Sequence, residues 1–243
     1  GKPMSIELKR TYVPFKDWTE KSKQTKYTEE TPLLNPDGTL NAKGWARKNV
    51  FTYDRNLVKH GLISRKEWDF YTITDGKVQL LISFANINIG GYVGCKLTDL
   101  HTGEIIADAV SYFAGGNKHI PPAKGDVPDR FTGKIGKATF DFNTMETERK
   151  LYFSKPHNGK TVECDITMDI LPDMENITTV LPFDEDNTRY FMTTKQACMP
   201  TEGYFRFGDY EYRFTKDTSF CAMDWGSVST ATSGWCSFTY ASI

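Results

Sequence analysis

The sequence predicts an all-β fold, an antiparallel barrel or sandwich, on three observations. Aromatic residues make up 14% of the 243 residues, as 16 Phe, 12 Tyr and 5 Trp, and aromatics fit a pleated, half-buried surface better than a helical one. Short runs of β-branched and aromatic residues recur between turn signals. No amphipathic helical period is sustained beyond about three turns.

The elements follow in chain order. Residues 1–66 read as an arm and loops packed on the barrel: Lys16–Glu30 is polar with no apolar period. Asn35-Pro36-Asp37-Gly38 supplies a turn, because Pro presets the backbone and Asp-Gly tolerates the positive φ that closes it. Arg55–Lys66 holds at most a short helical turn, limited by Gly61. From Glu67 strands take over. Trp68–Thr74 and Val78–Phe84 flank Asp75-Gly76, a strong hairpin signal, and Tyr92–Leu100 returns along Glu104–Val110. Gly115–Lys124, rich in Gly and Pro, is a loop. Further strands are expected at Ala138–Asn143, Arg149–Ser154 and Thr161–Ile170. In the last, Val162, Cys164, Ile166, Met168 and Ile170 share one face. After acidic turns at Asp173–Asn176 and Asp184–Asn187, strands restart at Arg189–Lys195, Gly203–Phe207, Tyr210–Phe214, Ser219–Met223 and Gly234–Tyr240. Residues 67–188 thus read as a first β unit and 189–243 as the truncated opening of a second.

Lys plus Arg total 30 and Asp plus Glu 31, a net charge of −1, which argues against nucleic acid or an anionic membrane surface as partner. No apolar run approaches the roughly 20 residues of a membrane-spanning helix. The opening Gly1-Lys2-Pro3-Met4-Ser5 shows no apolar signal segment. Five cysteines, Cys95, Cys164, Cys198, Cys221 and Cys236, are odd in number and form no CxxC pair, so reduced thiols and a cytoplasmic location are expected. Four dispersed histidines predict no metal centre, and no cofactor motif is present.

Two clusters set polar residues among aromatics. Trp45, Arg47, Arg55, Asn56 and Trp68 suit a pocket for an anionic head group, since Arg stacks on aromatic faces and forks onto carboxylates. The same arginines also suit structural ion pairs that fix the arm. The second cluster joins Cys198-Met199-Pro200-Thr201-Glu202-Gly203 to Asp224-Trp225-Gly226. Glu202 and Asp224 lie on segments that a sheet could bring face to face, and in an apolar interior one such acid would hold its proton near neutral pH. Asp224 equally suits a turn or bulge, accepting backbone N–H groups.

Gly44-Trp45-Ala46-Arg47, Arg55-Asn56, Trp68-Asp69-Phe70-Tyr71, Cys198–Gly203 and Ala222–Gly226, in this order, resemble the bacterial domain-of-unknown-function family 2804. The resemblance covers Thr31 to about Gly226. That family is similar in architecture to lipocalin-like, or calycin-like, two-domain β proteins such as carotenoid hydratases and Diels–Alderase-type cyclases, which implies a lipocalin-like barrel here. Members follow Asp-Trp-Gly with an arginine and further tryptophans, where this chain has Ser227-Val228-Ser229. Members also run longer, so an open sheet edge is expected, completed by a second chain or fragment.

The resulting expectation is a barrel pocket that binds a largely apolar small molecule with a polar head, and isomerises, cyclises or hydrates it. Glu202 and Asp224 would be its acid–base groups, and Trp45, Arg47, Arg55, Asn56, Trp68 and Trp225 its binding residues. A carbohydrate-binding or carbohydrate-active protein is the alternative, in which aromatics stack on sugar and the carboxylates form a glycosidase pair. A third reading is an interaction module whose interior is filled by side chains.

Overall fold

The computed structural model describes residues 25–59, 64–183 and 187–229. Short strands β1 (Thr31–Pro32), β2 (Gly44–Ala46) and β3 (Phe51–Thr52) precede a 3-10 turn at Arg55–Leu57, capped by Asp54 Oδ1, which accepts the Asn56 N–H at 2.9 Å. One meander follows, β4 (Arg65–Thr74), β5 (Val78–Asn86), β6 (Gly90–Asp99) and β7 (Ile105–Ala114). A second comprises β8 (Asp129–Ile135), β9 (Ala138–Thr144), β10 (Glu148–His157) and β11 (Lys160–Asp169). Then come β12 (Ile177–Pro182), β13 (Tyr190–Phe207), β14 (Tyr210–Phe214) and β15 (Phe220–Ser229). The predicted Asp75-Gly76 hairpin forms: Asp75 Oδ1 accepts the Lys77 N–H at 2.9 Å and Gly76 sits at φ +84°. Only glycine takes that backbone without strain.

Apart from β1 and β3, which pair parallel, the strands form one 13-stranded sheet. Its main path, β7-β6-β5-β4-β15-β13-β11-β10-β9-β8, is antiparallel and curls into a nearly closed barrel, the all-β fold that the composition predicts. The strand β13 joins the two meanders. Its first half pairs with β12 and β15 and its second half with β11 and β14.

The sequence reads β13 as two strands interrupted near Cys198–Gly203. The structure holds one strand with an irregularity between Gln196 and Met199, where Cys198 takes φ +61°. A bulge of this kind re-aims side chains without ending the pairing. Strands β8 and β12 escape the sequence reading: β8 buries only Phe131 and Ile135 well, and β12 lies between two acidic turns. The expected strand Gly234–Tyr240 lies outside the described residues, as do residues 16–24 of the arm and 184–186 of the second acidic turn.

The inner faces of the two meanders touch. Phe84 of β5 meets Phe131 of β8 edge-on at 4.7 Å between ring centroids, and Tyr71 of β4 meets Phe142 of β9 at 5.9 Å. Cys95 Sγ of β6 lies 3.7 Å from Cys164 Sγ of β11. Side chains therefore fill this part of the barrel, each large one contributing about 1.5–3 kcal/mol by burial. The alternation predicted for β11 holds for Val162, Cys164, Ile166 and Met168, all fully buried, while Ile170 lies just past the strand and is half-buried. Cys95, Cys164, Cys198 and Cys221 are free thiols.

The loop from Gly115 to Pro128 runs over one barrel end, where β5 and β7 finish and β4, β8 and β10 begin. Asn86 Nδ2 donates to the carbonyls of Gly116 at 2.9 Å, Lys118 at 3.2 Å and His119 at 3.3 Å. Trp225 Nε1 donates to the Pro122 carbonyl at 3.1 Å. A Cβ on Gly125 would lie 2.5 Å from Trp225 Cβ, so glycine is required for this close approach. The His119 ring packs edge-on against Phe113 at 5.0 Å, and burial lowers its pKa.

Candidate functional site

Beneath that loop the alternation of β4 and β10 aims charge inward. Asp69 shares its face with Tyr71 and Ile73, and Arg149 shares its face with Leu151 and Phe153. Asp69 is 4% exposed and Arg149 1%. The Arg149 guanidinium donates from Nη1 to Thr144 Oγ1 at 3.1 Å and from Nη2 to Gln196 Oε1 at 3.4 Å. The Tyr71 hydroxyl donates to Asp69 Oδ2 at 3.1 Å. Arg149 Nε and Asp69 Oδ1 are buried without a hydrogen-bond partner. Burial pushes the Asp69 carboxyl up to about 6, against the opposing pull of the Arg149 charge and the Tyr71 hydrogen bond. Burial likewise raises the Tyr71 phenol well above its usual value.

Arg149 and Gln196 line a cavity of about 160 Å³. Asp126 and Asn176 complete its polar lining with Lys48 and Glu146, while Ile170, Leu171, Pro172 and Met174 supply an apolar wall. Asp126 arrives on the loop and is held there: its Oδ2 accepts the Asn49 N–H at 2.7 Å and the Asn176 Nδ2 at 2.9 Å. A second concavity, about 330 Å³, lies on the outer face of β4–β7 around Phe70, Leu81, Tyr92 and Tyr112. The Tyr92 and Tyr112 rings there are inclined by 59° and do not make a flat stacking row.

The residues singled out by sequence scatter. Trp45 pairs with Thr179 of β12, with the Lys26 ammonium 5.4 Å from its ring centroid. Arg47 forms an exposed ion pair with Glu175. Arg55 forks onto Glu67, and Asn56 is exposed in the 3-10 turn. Trp68 is on the outer sheet face, where its Nε1 donates to Asp224 Oδ1 at 2.9 Å. Trp225 faces inward beneath the loop.

Glu202 and Asp224 do not form the expected facing pair. Asp224 lies opposite Lys195 in register and is held by Lys195 Nζ and by Thr193 Oγ1 at 3.1 Å. Glu202 lies opposite Thr167, beyond the β13 irregularity, exposed and 3.5 Å from Lys216 Nζ. Each carboxylate has its own lysine because the sheet offsets them along β13.

Sequence reasoning missed Asp69, Tyr71, Arg149, Gln196 and Asp126 as a group. One signal was available: an acid and a base each fall on the apolar face of a period-2 strand, and buried charge of that kind is uncommon without a reason. Among the described residues no group of three or more His, Cys, Asp or Glu is placed to hold a metal ion. No helix there is long and apolar enough to cross a membrane.

Fold and site together define an antiparallel β-barrel protein with a small, partly polar cavity built over a buried arginine at one end. Residues 24–236 match the family described as Domain of unknown function (DUF2804), and the chain belongs to that family. The match takes in all the described strands and every residue of the cavity. No curated protein and no solved structure matches the chain.

Proposed function

We propose that the protein binds a small molecule with a polar head and an apolar remainder at this barrel end. The head sits on Arg149 and Gln196, and the remainder lies along Ile170, Leu171 and Met174. One observation carries this reading: Arg149, a residue only 1% exposed, is part of the cavity lining, and its buried Nε has no hydrogen-bond partner. Burying a charge with unmet hydrogen bonds is costly, and a ligand acceptor removes that cost. Small-molecule sites are concave, with polar groups that converge to fix orientation beside an apolar wall, and this cavity sets six polar residues beside Ile170, Leu171, Pro172 and Met174.

Native mass spectrometry of the protein purified from its own host tests the reading. The expected result is a retained small-molecule adduct that Arg149→Lys loses. An intact mass without adduct in both proteins, with no binding in a screen of small amphiphiles, overturns it. The same spectrum reports whether a second polypeptide travels with the chain.

A further inference from the structure

A second residue of the cavity lining carries an unmatched buried atom, of the opposite character to Arg149 Nε. Asp126 Oδ2 is occupied by two donors, whereas Asp126 Oδ1 is buried and accepts nothing. A donor without an acceptor and an acceptor without a donor therefore belong to residues that line one small space. The charges lining it balance, Lys48 and Arg149 against Asp126 and Glu146. A carboxylate ligand alone would meet Arg149 but leave the two acids facing added negative charge. An amine alone would meet the acids and leave Arg149 Nε without an acceptor.

Resting on the reading above, we infer that the occupant is a zwitterion, a carboxylate and a protonated amine on one short aliphatic molecule such as an apolar amino acid. The carboxylate accepts from Arg149, as guanidinium forks favour anionic oxygens. The ammonium donates to Asp126 Oδ1, and Glu146 adds negative charge on the same side of the balance. The hydrocarbon lies against Ile170, Leu171 and Met174. A cavity of about 160 Å³ suits a molecule of amino-acid size and excludes a long-chain lipid from lying wholly within it.

Four probes on the full chain, followed by calorimetry and by amide chemical shifts, test this: leucine, 4-methylpentanoate, isoamylamine and 4-methylpentanol. Leucine is expected to bind at least tenfold more tightly than any of the other three. Asp126→Asn is expected to weaken leucine at least tenfold and to leave 4-methylpentanoate no weaker. If 4-methylpentanoate or the alcohol binds as well as leucine at the same shifted residues, the zwitterion is wrong and the binding site stands. If none of the four binds, the zwitterion fails outright, and the retained-adduct experiment then decides separately whether the cavity binds anything. Comparison of the probes on the unaltered protein does not depend on any variant folding.

Discussion

Arg55 grips Glu67 through two hydrogen bonds, Nε to Oε1 at 3.2 Å and Nη2 to Oε2 at 2.9 Å, and the Tyr53 hydroxyl adds a third at 2.8 Å to Oε1. Arg55 also donates to the Gly116 carbonyl at 3.3 Å, so one side chain ties the 3-10 turn, β4 and the loop over the barrel end together. Breaking a buried pair strands its partner. Arg55→Ala is expected to cost about 3–5 kcal/mol in urea unfolding, and Arg55→Lys less, because it keeps the charge without the fork. A loss well under 1 kcal/mol for the alanine variant would show that the pair does not hold the turn.

The outer-face network around Asp224 makes a second prediction. Trp68→Phe removes one hydrogen bond to a charged acceptor and is expected to cost about 1.5–3 kcal/mol. Asp224→Asn withdraws the carboxylate from Lys195, whose side chain is 5% exposed, while Asp224 itself is 29% exposed. Partial solvation places its expected cost at the lower end of the buried-pair range, about 3 kcal/mol. Chemical denaturation of both variants checks this, and unchanged midpoints would remove the network from the stability of the sheet.

Asp69 predicts a pH dependence with a definite sign. Its carboxyl rises from an ordinary 3.8 to about 6 in the folded chain, so the folded state takes up this proton more readily than the unfolded chain. The contribution to stability is therefore full below about pH 4 and is lost as pH rises through about 6. Two pH units correspond to about 3 kcal/mol. On acidification from pH 7 to 4.5 the natural protein is expected to gain stability relative to Asp69→Asn. His119, whose pKa burial lowers, acts in the opposite direction in both proteins and cancels in the difference. Parallel stability curves for the two proteins would contradict the assignment.

Gly226 marks a site where no side chain fits. A Cβ there would lie 2.3 Å from Trp68 Cζ2 and 2.6 Å from the Met192 carbonyl oxygen, one of which is backbone. Gly226→Ala is expected to cost about 1–3 kcal/mol and to shift tryptophan fluorescence as the Trp68 ring is displaced. Native-like stability with an unchanged spectrum would show that the sheet gives way there without cost.

Sequence alone determined the all-β class, the Asp75-Gly76 hairpin and the inward face of β11, because turn chemistry and period-2 alternation act within a few residues. It also placed Trp68 and Asp224 among the residues of interest, without showing that they bond to each other. The tertiary structure decided the rest. A single 18-residue β13 serves both halves of the sheet, and its irregularity separates Glu202 from Asp224. Curling of the sheet into a nearly closed barrel brings β4 and β10, far apart in the chain, close enough for the Arg149 charge to act on Asp69, and the loop after β7 delivers Asp126 to the same end. Strand order and closure depend on pairing across the whole chain, so no local pattern around Arg149 announces which acid, amide or cavity it will meet.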